Sequence, residues 1–99
     1  MGYTVFYPTP WEFVDTDNDN IDVCLELETG ETFTLVVATP DNLKSLMKKD
    51  GLPYIAPGTP FLFVEKLTEQ NIGQLIDELL KQGSNLLRLY GEDVLTDIG

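Results

Sequence analysis

The run Ile21-Asp22-Val23-Cys24-Leu25-Glu26-Leu27-Glu28-Thr29-Gly30-Glu31-Thr32-Phe33-Thr34-Leu35-Val36-Val37-Ala38 decides the fold. Ile21, Val23, Leu25 and Leu27 alternate with polar residues, and Phe33, Leu35 and Val37 repeat the pattern after Gly30. A period of two marks antiparallel strands with one face in the core and one in water. The turn sets the register. A two-residue Thr29-Gly30 loop would pair Leu25 with Thr34 and send the two apolar sets to opposite faces. A three-residue loop, Glu28-Thr29-Gly30 with left-handed glycine, pairs Leu25 with Phe33, Val23 with Leu35 and Ile21 with Val37. This is a type I turn closed by a G1 bulge. Asp22, Cys24 and Glu26 then face outward beside Thr32, Thr34 and Val36.

Two helices are predicted downstream. Thr39-Pro40-Asp41 supplies a cap, a proline at the first helical position and an early carboxylate. Leu43, Leu46 and Met47 form a stripe, Lys48 and Lys49 suit the dipole's negative end, and Gly51 stops the helix. Thr68 caps the second, whose Ile72, Leu75, Ile76, Leu79 and Leu80 follow the spacing of an amphipathic helix that Gly83 ends. Leu67 and Ile72 can staple its start. Phe61-Leu62-Phe63-Val64 is apolar throughout and predicts a strand covered on both faces. Tyr3–Tyr7 and Leu86–Tyr90 predict two shorter strands. The expected architecture is α+β: a small antiparallel or mixed sheet of four to five strands, with two helices packed on one face. Residues 1–99 read as a single domain, and residues 91–99 as a frayed tail.

Charge is distributed unevenly. The first 43 residues hold nine carboxylates and no Lys, Arg or His, whereas the rest holds eight acids and all six bases, for a net charge of −11. Such a chain has the wrong sign to hold nucleic acid or an anionic membrane surface. Without histidine, Ser-His-Asp and Cys-His catalysis and His-based metal sites are closed, and no phosphate-binding loop replaces them. An enzyme is therefore disfavoured. No signal peptide or membrane-length apolar run is seen, and a single cysteine fits a reducing, cytoplasmic location.

Asp15-Thr16-Asp17-Asn18-Asp19-Asn20-Ile21-Asp22-Val23-Cys24-Leu25-Glu26 resembles the twelve-residue calcium loop of the EF-hand family. Asp15, Asp17, Asp19 and Glu26 stand at its first, third, fifth and twelfth places. Calcium takes six to eight oxygens, so the resemblance implies a Ca2+ site at those four residues. Asn20 replaces the family's glycine, Asp22 replaces its apolar residue, and the flanks read as strands rather than helices. The bland alternative is a solvated turn, because Asp and Asn are common local acceptors there.

Asp22, Glu26, Glu28 and Glu31 form the second candidate, an acidic surface for a basic protein partner, with Trp11 as a possible aromatic anchor. Against this stand solubility for the acids and core completion for Trp11. Cys24 lies between Asp22 and Glu26, not beside a cation, and reads as a passive thiol. The stretch from Asp22-Val23-Cys24 through Ala38-Thr39-Pro40 to Phe63-Val64-Glu65-Lys66-Leu67-Thr68 resembles small bacterial α+β proteins to which no activity attaches. The leading expectation is a non-enzymatic binding module, in one concrete version an immunity-type inhibitor of a cationic toxin. A calcium-binding module is the alternative, and oligomeric state is left open.

Overall fold

A computed structural model describes residues 2–55, 57, 60–90 and 92–93, with backbone alone for 84–86 and 92–93. The long hairpin lies at its centre. Strands β2 (Asn20–Leu27) and β3 (Thr32–Ala38) pair antiparallel in the register derived above, with Leu25 opposite Phe33, Val23 opposite Leu35 and Ile21 opposite Val37. Gly30 has φ 91°, and its N–H donates to the Leu27 carbonyl at 2.9 Å while the Leu27 N–H donates to Glu31 O at 2.9 Å. That geometry is a left-handed residue closing a bulged turn, and a side chain at this position would be strained.

Around the hairpin the sheet is mixed and open. Strand β1 (Tyr3–Phe6) pairs antiparallel with β2, placing Val5 opposite Leu25 and Phe6 opposite Cys24. The other edge of β3 is shared. Strand β4 (Phe61–Phe63) runs parallel to it at Val36–Ala38, and β5 (Glu92–Asp93) runs antiparallel at Phe33–Thr34. Within the expected tail, Glu92 and Asp93 thus form a strand; residues 91 and 94–99 lie outside the described residues.

Helix α1 (Pro40–Asp50) begins where the buried Thr39 hydroxyl accepts from the Asn42 N–H at 3.3 Å. It ends at Gly51 (φ 68°), with Gly51 and Leu52 N–H groups donating back to Lys48 O and Met47 O, a Schellman motif. Helix α2 (Glu69–Gln82) starts from the Thr68 cap and buries Ile72, Ile76 and Leu79. Leu86–Tyr90, expected as a strand, instead belongs to helix α3 (Ser84–Tyr90). The run lacks β-branched residues and holds Leu and Arg, which favour helix, and the helical turn buries Leu87 completely while leaving Leu89 outside.

One contiguous core joins the odd-numbered face of the hairpin (Ile21, Val23, Leu25, Phe33, Leu35, Val37) to Leu62, Val64, Leu67, Ile72, Ile76, Leu79 and Leu87. Two helices do cover one face, and they are α2 and α3. Helix α1 gives that core no side chain; its Leu43, Leu46 and Met47 are half-buried, and Asn42 is its one buried residue. Among the described residues no helix is long and apolar enough to cross a membrane.

Candidate binding face

Because β2 alternates, its even-numbered residues share the face turned away from α2. That outer face carries Thr4 and Phe6 from β1, Asp22, Cys24 and Glu26 from β2, Thr32, Thr34 and Val36 from β3, and Phe61 and Phe63 from β4. None of the four strands contributes a Lys or Arg. Asp22 and Glu26 are exposed, with Cys24 half-buried between them. Phe6 is 63% exposed and Phe63 47%, unusual values for large aromatics. Phe61 lies 6.4 Å from Phe63, ring centre to ring centre. The expectation that both sides of Phe61–Val64 are covered therefore holds on the core side, where Leu62 and Val64 are buried, and fails on the other, where Phe61 is half-buried and Phe63 exposed.

At the hairpin end, Gly2, Tyr3, Thr4, Glu26, Leu27, Glu28 and Gly30 line a shallow depression of about 480 Å³. The Gly2 N–H donates to Glu28 Oε1 at 3.0 Å, and a Cβ on Gly2 would lie 2.4 Å from that oxygen. Glycine therefore permits the approach that holds Glu28 beside β1.

The other predicted docking residues lie elsewhere. Glu31 accepts from Arg88 of α3, whose guanidinium carbon sits 5.9 Å from the centre of the Phe33 ring, on the core side of the sheet. Trp11, in a 3-10 turn at Trp11–Phe13, meets Tyr7 in a tilted ring contact, centres 5.0 Å apart, and packs on the core. The structure brings Asp22, Glu26 and Glu28 to one side and places Glu31 and Trp11 on the other.

In the acidic loop the carboxylates are engaged locally. Asp15 Oδ1 accepts from the N–H groups of Asp17 (3.1 Å) and Asn18 (3.2 Å). Asp19 Oδ2 accepts from the Asp15 N–H at 3.1 Å, and Asp19 Oδ1 accepts from the Asn20 N–H at 2.8 Å. Asp17 meets Lys66 at 3.1 Å, which holds the Lys66 ammonium above its ordinary pKa through a hydrogen bond and attraction. Glu26 is not among them: it stands six residue steps along extended β2 from Asn20, about 20 Å of strand. Among the described residues no three of His, Cys, Asp or Glu converge as a metal cage.

Sequence reasoning missed two features. Asn20 Nδ2 donates to Asn42 Oδ1 (2.8 Å), Asn42 Nδ2 to Asn18 Oδ1 (3.3 Å), and Asn18 Nδ2 to Ser45 Oγ (2.9 Å). This amide relay ties the acidic loop to α1. The second feature is the proximity of α2 to β1. The Tyr3 hydroxyl donates to Asp77 Oδ1 at 2.9 Å; burial, then that bond, then the carboxylate's charge push its pKa above the ordinary 10.0. Burial and Glu69 likewise raise that of Tyr7. The alternation Tyr3, Val5, Tyr7 was the available signal for a core-facing set.

Comparisons with protein-family models, curated proteins and solved structures find no match to this chain.

Proposed function

We propose that the protein is a non-enzymatic binding module that docks a basic protein through the outer face of its sheet. An immunity-type inhibitor of a cationic toxin is one concrete form. The observation that carries the reading is a sheet face on which exposed Asp22 and Glu26 stand with exposed Phe6 and Phe63, while its strands supply no base. Carboxylates on such a surface steer encounter and reject like-charged partners, and aromatics supply contact area that charge alone does not. The absence of histidine and the lack of a cationic neighbour for Cys24 among the strand residues around it favour binding over chemistry. A free Cys24 fits a reducing, cytoplasmic setting.

Affinity capture from the native cell with the wild-type chain and an Asp22→Asn/Glu26→Gln variant tests this. A basic protein retained at low salt, lost as salt rises and weakened by the variant is the expected result. Tight capture indifferent to both salt and substitution would overturn it.

A further inference from the structure

The free edge of β1 has a direction and a charge that narrow the kind of partner. Leu27 donates to Glu31, so Leu27 and, by alternation, Leu25, Val23 and Ile21 turn their backbone polar groups toward β3. Glu26 and Cys24 therefore turn theirs toward β1, where they pair with Thr4 and Phe6. This leaves the N–H and C=O groups of Tyr3 and Val5 pointing to the edge, which no described strand covers. The edge Tyr3-Thr4-Val5-Phe6 carries no charge, proline or bulge, the usual devices that keep an edge from pairing.

Acids flank that edge on both faces. On the outer side, Glu26 and Glu28 line the depression beside Thr4. On the inner side, Asp77 of α2 meets Tyr3, and Glu69 lies near Tyr7. Four helical residues advance about 6 Å and two strand residues about 6.8 Å, so the row Glu69, Gly73, Asp77 keeps step with Tyr7, Val5, Tyr3. Gly73 falls level with Val5, and a Cβ there would find no atom within 4 Å. The edge thus runs beside a helix that bears a carboxylate at each end of the row and a gap at its middle.

We propose that an extended, arginine- or lysine-bearing segment of the partner adds to β1 as a further strand, bonding Tyr3 and Val5 through its backbone. A strand added there lies about 4.8 Å beyond β1. An arginine level with Thr4 reaches over β1 to Glu26 and Glu28, and its neighbours on the opposite face approach Glu69 and Asp77. An apolar residue two positions along covers Phe6. A second copy of this chain is the less suitable occupant, because each carries a net charge of −11 and β1 brings no cation. This inference rests on the docking reading above and adds the mode of attachment to it.

The test uses the full chain and an end-capped octapeptide of two Arg-Arg-Val-Val repeats, which as a strand presents both arginine and valine on each face. Amide hydrogen exchange is followed by NMR and affinity by fluorescence anisotropy. Binding should slow exchange at Tyr3 and Val5 and leave Thr4 and Phe6, already bonded to β2, little changed. Methylating alternate peptide nitrogens should abolish it. Each of Glu26→Gln, Glu28→Gln and Glu69→Gln should weaken it roughly two- to fivefold. Gly73→Leu, which fills the gap while keeping every charge, should also weaken it. Binding that survives N-methylation, or that leaves Tyr3 and Val5 exchange unchanged, overturns strand addition and leaves acidic docking standing. Failure of this peptide and of a folded cationic protein to bind overturns both. Concentration-dependent protection of Tyr3 and Val5 without peptide overturns the basic occupant in favour of a second copy.

Discussion

Gly73→Ala should stabilise the protein. Gly73 occupies the second turn of α2, has no positive φ, and a Cβ built on it meets nothing within 4 Å. The substitution therefore adds no clash and removes backbone freedom chiefly from the unfolded chain. A glycine in a helix interior costs about 0.5–1 kcal/mol relative to alanine. For a domain of this size, such a gain raises Tm by roughly 2–8 °C. Urea and thermal denaturation followed by circular dichroism at 222 nm measure both quantities, with the urea m-value expected to stay constant. Gly30→Ala is the matched control, because its Cβ also meets nothing within 4 Å but its φ is 91°. There the same methyl should destabilise by about 1–2 kcal/mol, since the left-handed region is costly for any residue with a side chain. Opposite signs at two equally roomy sites would isolate backbone conformation as the cause. A Gly73→Ala protein no more stable than wild type would refute the reasoning, and so would a Gly30→Ala protein unaffected by the change.

Three further outcomes are expected. Thr39→Ala should cost about 1–2 kcal/mol by urea unfolding, with Thr39→Ser retaining most of it, because the buried hydroxyl accepts from both Asn42 and Asp19 N–H groups. An equal loss in the serine variant would argue that packing, not capping, sets the effect. Below pH 10 both folded and unfolded states keep the phenolic protons of Tyr3 and Tyr7; above it the unfolded chain releases them first, so stability falls as pH rises. Ultraviolet titration at 295 nm should show two tyrosines ionising later in the folded protein than in urea. Asp15→Ala should destabilise by about 1 kcal/mol, since Asp17 and Asn18 lose their acceptor. A Tm increase with millimolar calcium that Asp15→Ala abolishes would instead show that the loop is a metal site.

The hairpin was legible because strict alternation and one glycine leave a single register that puts both apolar sets on one face. The starts of α1 and α2 were legible for a similar local reason: Thr39 and Thr68 each offer an oxygen where a helix has unpaired N–H groups. The segment Leu86–Tyr90 was not, because a short apolar run has no period of its own and the core decides it; Leu87 enters that core only from a helix. Phe61–Val64 misled for a related reason. Unbroken hydrophobicity signals burial on both sides, but β4 lies at the end of the sheet's strand order and Phe63 remains exposed. Linear spacing placed Glu26 with Asp15, Asp17 and Asp19, whereas an extended β2 carries it away. The acids that flank β1 from the inside could not be found by inspecting the acid-rich half, since Glu69 and Asp77 come from α2.

The divided edge of β3 has a kinetic consequence. β3 bonds to β2 across a three-residue turn, but to β4 and β5 only after long intervening segments close. The local hairpin can form early, while the other pairings wait on loop closure. Opening β1, β4 or β5 individually leaves the β2–β3 ladder bonded, but opening β3 breaks three of the sheet's four strand pairings. Its central amides should therefore exchange only when the whole molecule unfolds, making Leu35 and Val37 reporters of global stability and the terminal strands reporters of local opening.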